Sequence, residues 1–106
     1  MTKKYKVILN QSALSKLEEI LDFISIDSPK RSISVINEII RRINSLESMP
    51  ERFPAIQENI KYKTYQIRHF YCKNSFRVIY TIREDEVRIL CIRHGAQKNL
   101  TIFDIN

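Results

Sequence analysis

The apolar residues of this chain change their spacing once, near Lys61, and that change limits the folds open to it. Before it they recur every three to four positions. After it they alternate at every second one. The first period marks helices with one buried face, the second marks strands with one buried face. A chain of 106 residues with this pattern supports one core, and so one domain is expected over residues 1–106.

Within the first part, Tyr5-Lys6-Val7-Ile8-Leu9 reads as a short strand. Ser12 is the expected N-cap of a first helix, whose buried face carries Leu14, Leu17, Leu21 and Ile24, widened by Ile20. Asp27-Ser28-Pro29 ends it. Pro29 disfavours helical geometry at Ser28 and suits the first position of a second helix capped by Ser28. Ile33, Ile36, Ile39/Ile40, Ile43 and Leu46 continue at the helical period to about Ser48, with Pro50 and Pro54 bracketing the end. So short a connection makes the two helices an antiparallel hairpin.

The later part holds three β runs, about Tyr62–Tyr71, Phe76–Ile82 and Val87–Arg93, with turns at Lys73-Asn74 and Glu84-Asp85. The expected fold class is α+β, of order β-α-α-β-β-β, a helical hairpin packed on a small antiparallel sheet. On that sheet Ile36, Ile40 and Ile43 are expected to meet Val78, Tyr80 and Ile89. With a two-residue loop at Glu84-Asp85, Arg83 pairs with Glu86 and strict alternation sorts the rest. Phe76, Val78, Tyr80, Ile82, Val87, Ile89 and Cys91 share an apolar face toward the helices. Arg77, Ile79, Thr81, Arg83, Arg88, Leu90, Ile92 and His94 share the other, a mixed face suited to binding.

Charge falls unevenly. The net charge is +6, yet residues 1–60 hold 9 Lys/Arg against 8 Asp/Glu, and residues 61–98 hold 9 against 3. The positive field therefore belongs to the sheet half, where an acidic peptide or a nucleic acid is drawn. No apolar run reaches the roughly 20 residues of a membrane span, and Val7-Ile8-Leu9 is too short for a signal peptide, so a cytoplasmic protein without a membrane partner is expected. Cys72 and Cys91 lie outside any C-x-x-C or Cys/His cluster and read as packing residues, with no metal or cofactor expected.

Under the regular register Arg77 lies opposite Ile92, and His94 follows on the same face. A guanidinium beside an imidazole is the minimum for cleaving RNA by 2′-hydroxyl attack, the first holding the phosphate and the second moving a proton. The same two residue types also occur as solvated or structurally bonded pairs. Tyr62, Tyr65, Phe70 and Tyr71, interleaved with Lys61, Lys63, Arg68 and Lys73, suit base stacking or, equally, edge and core packing. A nucleophile elbow, a Gly-rich phosphate loop and a paired acid motif in the β region are missing.

Several segments together resemble the RelE/ParE superfamily of bacterial plasmid-stabilisation toxins from Ala13 to Gln97. They are Ala13-Leu14-Ser15-Lys16-Leu17-Glu18-Glu19-Ile20, Asp27-Ser28-Pro29, Leu46 through Phe53-Pro54, Phe76-Arg77-Val78-Ile79-Tyr80, and Ile89-Leu90-Cys91-Ile92-Arg93-His94-Gly95-Ala96. The resemblance implies the toxin of a type II toxin–antitoxin pair, in a hetero-oligomer with a cognate antitoxin whose C-terminal segment wraps it. ParE-like members inhibit DNA gyrase; RelE-like members are mRNA interferases that cleave mRNA on the ribosome. Arg77 matches the RelE-type phosphate-binding arginine, whereas Gln97 and Phe103 stand where a second catalytic arginine and a tyrosine are expected. His94 keeps a nuclease reading open, with Arg77 and His94 as its catalytic residues. The hairpin and the His94-Gly95-Ala96 ending favour ParE. Target or antitoxin contacts are then expected at Arg68, Arg77, Arg83, Arg88, Arg93, His94 and Lys98. A third reading is a binding module that has lost toxicity.

Overall fold

The computed structural model describes residues 3–61, 65–72, 76–94 and 100–105. Strand β1 (Lys6–Leu9) leads into helices α1 (Gln11–Asp27) and α2 (Pro29–Asn44), followed by 3-10 turns at Ser45–Glu47 and Pro50–Arg52. Strands β2 (Ile67–Cys72), β3 (Phe76–Arg83) and β4 (Glu86–His94) come next, then a single helical turn α3 (Ile102–Ile105). The order β-α-α-β-β-β and the α+β class are as expected. The sheet, however, is mixed. Its strands run β1-β4-β3-β2, with β2, β3 and β4 antiparallel and β1 parallel to β4. The hairpin β3–β4 leaves one edge of β4 open, and β1 fills it from the far end of the sequence, a pairing that local spacing cannot foresee.

Ser28 caps α2 as its sequence implies: its hydroxyl accepts from Arg31 N at 3.2 Å, with Pro29 at the first helical position. Ser12 does not cap α1. Asn10 holds the cap position, and the Ser12 hydroxyl donates to Leu90 O at 2.7 Å, tying the helix to β4. The buried stripes keep Leu17, Ile20, Ile24, Ile39, Ile43 and Leu46 as expected, but Ala13, Ser32 and Val35 complete them in place of Leu14, Leu21 and Ile33. On α1 they are Ala13, Leu17, Ile20 and Ile24; on α2 they are Ser32, Val35, Ile39 and Ile43. Leu14, Leu21, Ile33 and Ile40 face outward, so the expected contact of Ile40 with the sheet is not made. Small residues lead both true stripes, and neither Ala13 nor Ser32 carries the apolar weight by which a face is read.

The main core lies between this hairpin and one sheet face, with Val78, Tyr80, Val87, Ile89 and Ile92 fully or nearly fully buried. Tyr80 keeps its hydroxyl there by donating to Pro50 O at 2.5 Å, and burial pushes that phenol up to about 12. Phe70 stacks on Phe53 with centroids 4.8 Å apart, making it a core aromatic and not a stacking platform for bases.

The register of β3 and β4 contains one irregularity. From the Glu84-Asp85 turn the pairs Arg83↔Glu86 to Tyr80↔Ile89 follow the expected register, but Ile79 then pairs with Cys91, leaving Leu90 as a bulge. Leu90 and Cys91 consequently fall on the same side of the sheet. Every residue after them is reversed relative to strict alternation: Ile92 joins the helix-facing core, while Cys91 joins a second cluster with Ile67, Ile79, Leu90, Leu100 and Ile105. This second cluster, with Ile56 and Ile60 against it, covers much of the face expected to be open for binding. The chain's own segments lie there. Both cysteines are buried and no disulfide joins them.

Candidate functional site

The bulge separates the two residues that a nuclease needs on one phosphate. Arg77 pairs across the sheet with Arg93, on the face away from the helices. His94 pairs with Phe76 on the opposite, helix-facing side, its ring 5.5 Å from that of Phe76. The expected neighbour of Arg77, Ile92, is in the main core. Arg77 and His94 are not brought together.

Arg77 instead meets Glu58 and His69. Its Nη1 and Nη2 donate to the two Glu58 carboxylate oxygens at 2.7 and 2.9 Å, and its Nε donates to His69 Nδ1 at 2.8 Å. Glu58 also accepts from Leu100 N at 3.1 Å, so one carboxylate ties the segment before β2 and the C-terminal segment to β3. The hydrogen bonds from Arg77 outweigh burial and hold the Glu58 carboxyl down at about 2. The same bonds raise Arg77 further. Burial, followed by the Arg77 charge, lowers His69, which is consistent with a neutral ring accepting at Nδ1. All three edges of this guanidinium are engaged, and the side chain is closed in, at 8% exposure. A phosphate reaches Arg77 only by displacing Glu58. Sequence reasoning missed both partners. Glu58 sits in a stretch without period, and His69 required the β2–β3 register (Tyr71 opposite Arg77, His69 opposite Ile79) to be placed beside Arg77.

The other candidate residues have separate settings. Arg68 reaches Glu51 O and Phe53 O at 3.1 and 2.6 Å and so pins the loop before β2. Arg83 lies over the Tyr65 ring, 5.5 Å from its centroid. Arg88 pairs with Glu86 at 2.6 Å and reaches Asn10 at 3.2 Å. Arg93 is buried opposite Arg77. The Lys73-Asn74 turn, Tyr62, Lys63, Gln97, Lys98 and the side chain of Phe103 lie outside the described residues.

A different surface stands out as a place for a partner. Phe23, Ile26 and Ile33, around the bend of the helical hairpin, are 74%, 82% and 58% exposed. Beside them lies a groove of about 650 Å³ whose lining includes Lys16, Phe23, Arg31, Val35, Phe76 and His94. Contiguous exposed apolar side chains with a polar rim mark protein-binding surfaces. The helical period left Phe23 and Ile26 outside the core stripe without marking them as a surface, and it assigned Ile33 to the stripe.

A family model described as the ParE toxin of the type II toxin–antitoxin system parDE matches residues 7–99. Among solved structures the chain is similar to the chromosomal ParDE toxin–antitoxin system from P. aeruginosa, at 14% identity and a TM-score of 0.71, covering 87% of this chain and 97% of that one. It is also similar to the conserved hypothetical protein HP0894 from Helicobacter pylori, at 22% identity and a TM-score of 0.56, covering 88% and 97%. At such identities both likenesses speak for the fold alone. No curated protein matches the chain in sequence. Among the described residues, no helix is long and apolar enough to cross a membrane.

Proposed function

Since the chain belongs to the ParE toxin family of type II toxin–antitoxin systems, we propose that it arrests growth by binding and inhibiting DNA gyrase, and that a cognate antitoxin neutralises it. The observation that carries the choice of mechanism is the placement of Arg77 and His94 on opposite sheet faces by the Leu90 bulge. General acid–base cleavage needs its phosphate holder and its proton carrier at one site. Here the phosphate holder is occupied by Glu58, and the imidazole lies against Phe76. A toxin that blocks a protein target needs a surface in place of such a pair. The exposed apolar bend of the hairpin supports protein contacts of that kind, for the antitoxin or for the target.

Regulated expression in a bacterial host tests this reading, with growth, plasmid topology and transcript integrity followed together. Growth arrest with relaxed plasmids and intact transcripts is the expected result. Arrest with transcripts cut at ribosome-protected positions contradicts it and restores the nuclease reading. No arrest at all, with folded protein present, leaves the non-toxic binding module.

A further inference from the structure

α1 and α2 each carry a second apolar stripe that the sheet does not use. Leu14 and Leu21 on α1, and Ile33 and Ile40 on α2, follow the buried Ala13, Ile20, Ser32 and Ile39 by one position, about 100° round each helix. They are between 38% and 58% exposed. The opposite flank of α1 faces β4, where the Ser12 hydroxyl donates to Leu90 O. The opposite flank of α2 faces β2, where the Arg42 guanidinium lies 5.1 Å from the centre of the Phe70 ring. The second stripes therefore turn toward each other and make one seam along the back of the hairpin, with half-buried Ile36 at its floor. The seven-residue steps from Leu14 to Leu21 and from Ile33 to Ile40 keep the seam in line, as in helices that pack on other helices.

The two sides of this seam are oppositely charged. α1 holds Lys16 against Glu18, Glu19, Asp22 and Asp27, net −3, and α2 holds Lys30, Arg31, Arg41 and Arg42 against Glu38, net +3. Lys16 pairs with Glu19 and Arg41 with Glu38, each within its own helix, and among the described residues no ion pair joins α1 to α2. By helical spacing, Glu18 and Asp22 border Leu14 and Leu21, while Lys30 and Arg41 border Ile33 and Ile40. The +6 of the chain thus lies outside the two helices, and their back is a face on which two copies meet without net repulsion.

We infer that a second copy of this chain docks on the seam, hairpin back to hairpin back, as a two-fold dimer whose four helices form a bundle. Charge selects the axis. A two-fold parallel to the helices lays α1 of each copy over α2 of the other, acid over base, whereas one across them lays acid over acid. Helices of 17 and 16 residues are about 25 Å long, and two side by side are about 20 Å wide, which offers roughly 500 Å² per copy. The total of about 1,000 Å² is the lower limit for a specific interface, so the dimer is weak and reversible. It does not depend on what the chain inhibits.

Sedimentation velocity of the full chain, from micromolar to submillimolar concentration, tests the dimer, with thermal melts establishing that each variant is folded. The parent chain is expected to pass from monomer to dimer within that range. Leu21→Ser combined with Ile40→Ser is expected to weaken the dimer at least about tenfold. A chain with Glu18→Lys and Asp22→Lys, and another with Lys30→Glu and Arg41→Glu, are each expected to stay monomeric alone and to pair with each other when mixed. A parent chain that stays monomeric overturns the inference, whatever other protein binds the seam. A dimer that the serine variants leave intact, or charge variants that fail to pair on mixing, overturns it too.

Discussion

Removing the Arg77 side chain leaves the enclosed Glu58 carboxylate with backbone donors alone, Leu100 N and its own N–H, and leaves His69 Nδ1 without the Arg77 Nε donor. Breaking an enclosed pair from one side is therefore expected to cost about 3–5 kcal/mol for Arg77→Ala, read by urea unfolding at neutral pH. A loss below about 1 kcal/mol contradicts the enclosure. The same pair governs acid stability. Glu58 titrates near 4.5 when unpaired and at about 2 in the fold, so its contribution is complete above about pH 4.5 and disappears as the pH falls toward about 2. His69 acts in the same sense at a higher pH, since a lowered imidazole favours the fold above its ordinary value of 6.5 and loses that contribution on protonation. Arg77→Ala is expected to flatten the limb between about pH 4.5 and 2, and an unchanged limb assigns acid stability to other groups. At the helix face, Ile39→Ala is expected to cost about 2–5 kcal/mol and Ile40→Ala less than about 1 kcal/mol, because Ile39 is fully buried and Ile40 is 40% exposed. Equal losses for the two contradict the buried stripe.

At the scale of elements, the punctuation of the chain was legible and the full membership of its buried stripes was not. Pro29 with Ser28, and the Glu84-Asp85 turn, fall where residue chemistry puts them because each acts on its immediate neighbours. Ala13 and Ser32 are buried by tertiary contact alone, and their larger neighbours Leu14 and Ile33 took their places in the expected stripe. The bulge at Leu90 escaped for a related reason. Leu90 and Cys91 are both apolar enough for either face, so alternation could not show that two successive residues belong to one side. That single residue moved His94 away from Arg77. Glu84 offers a test of the turn itself, since it holds φ 57, in the left-handed region that a side chain disfavours. Glu84→Gly is expected to stabilise the chain by about 0.5–1 kcal/mol in thermal unfolding. Destabilisation shows that the turn is not strained there.

For the molecule as a whole, the apolar sheet face packs on the helices as expected, whereas the mixed face does not stand open for binding. The mixed, arginine-bearing face is largely occupied by a second core that includes Leu100 and Ile105, and its charge is committed in part to holding the chain together. Among the described residues, the bend of the hairpin carries exposed apolar side chains. The helical period left Phe23 and Ile26 outside the buried stripe but did not show that they stand exposed beside Ile33 at the bend. The family resemblance was legible, since it rests on the order of short segments in the chain itself, Asp27-Ser28-Pro29, Phe53-Pro54 and Phe76-Arg77-Val78-Ile79-Tyr80 among them, and the family model matches residues 7–99. The central claim is that this toxin acts through a binding surface and not through Arg77 and His94 at one phosphate. Its most direct test is inhibition of supercoiling of relaxed plasmid by purified gyrase, with the chain and its His94→Ala variant run in parallel against ribosome-bound mRNA. The account predicts that both proteins inhibit supercoiling within a few-fold of each other and that neither cuts the mRNA. Cutting by the parent chain that vanishes in His94→Ala, with supercoiling untouched, contradicts it.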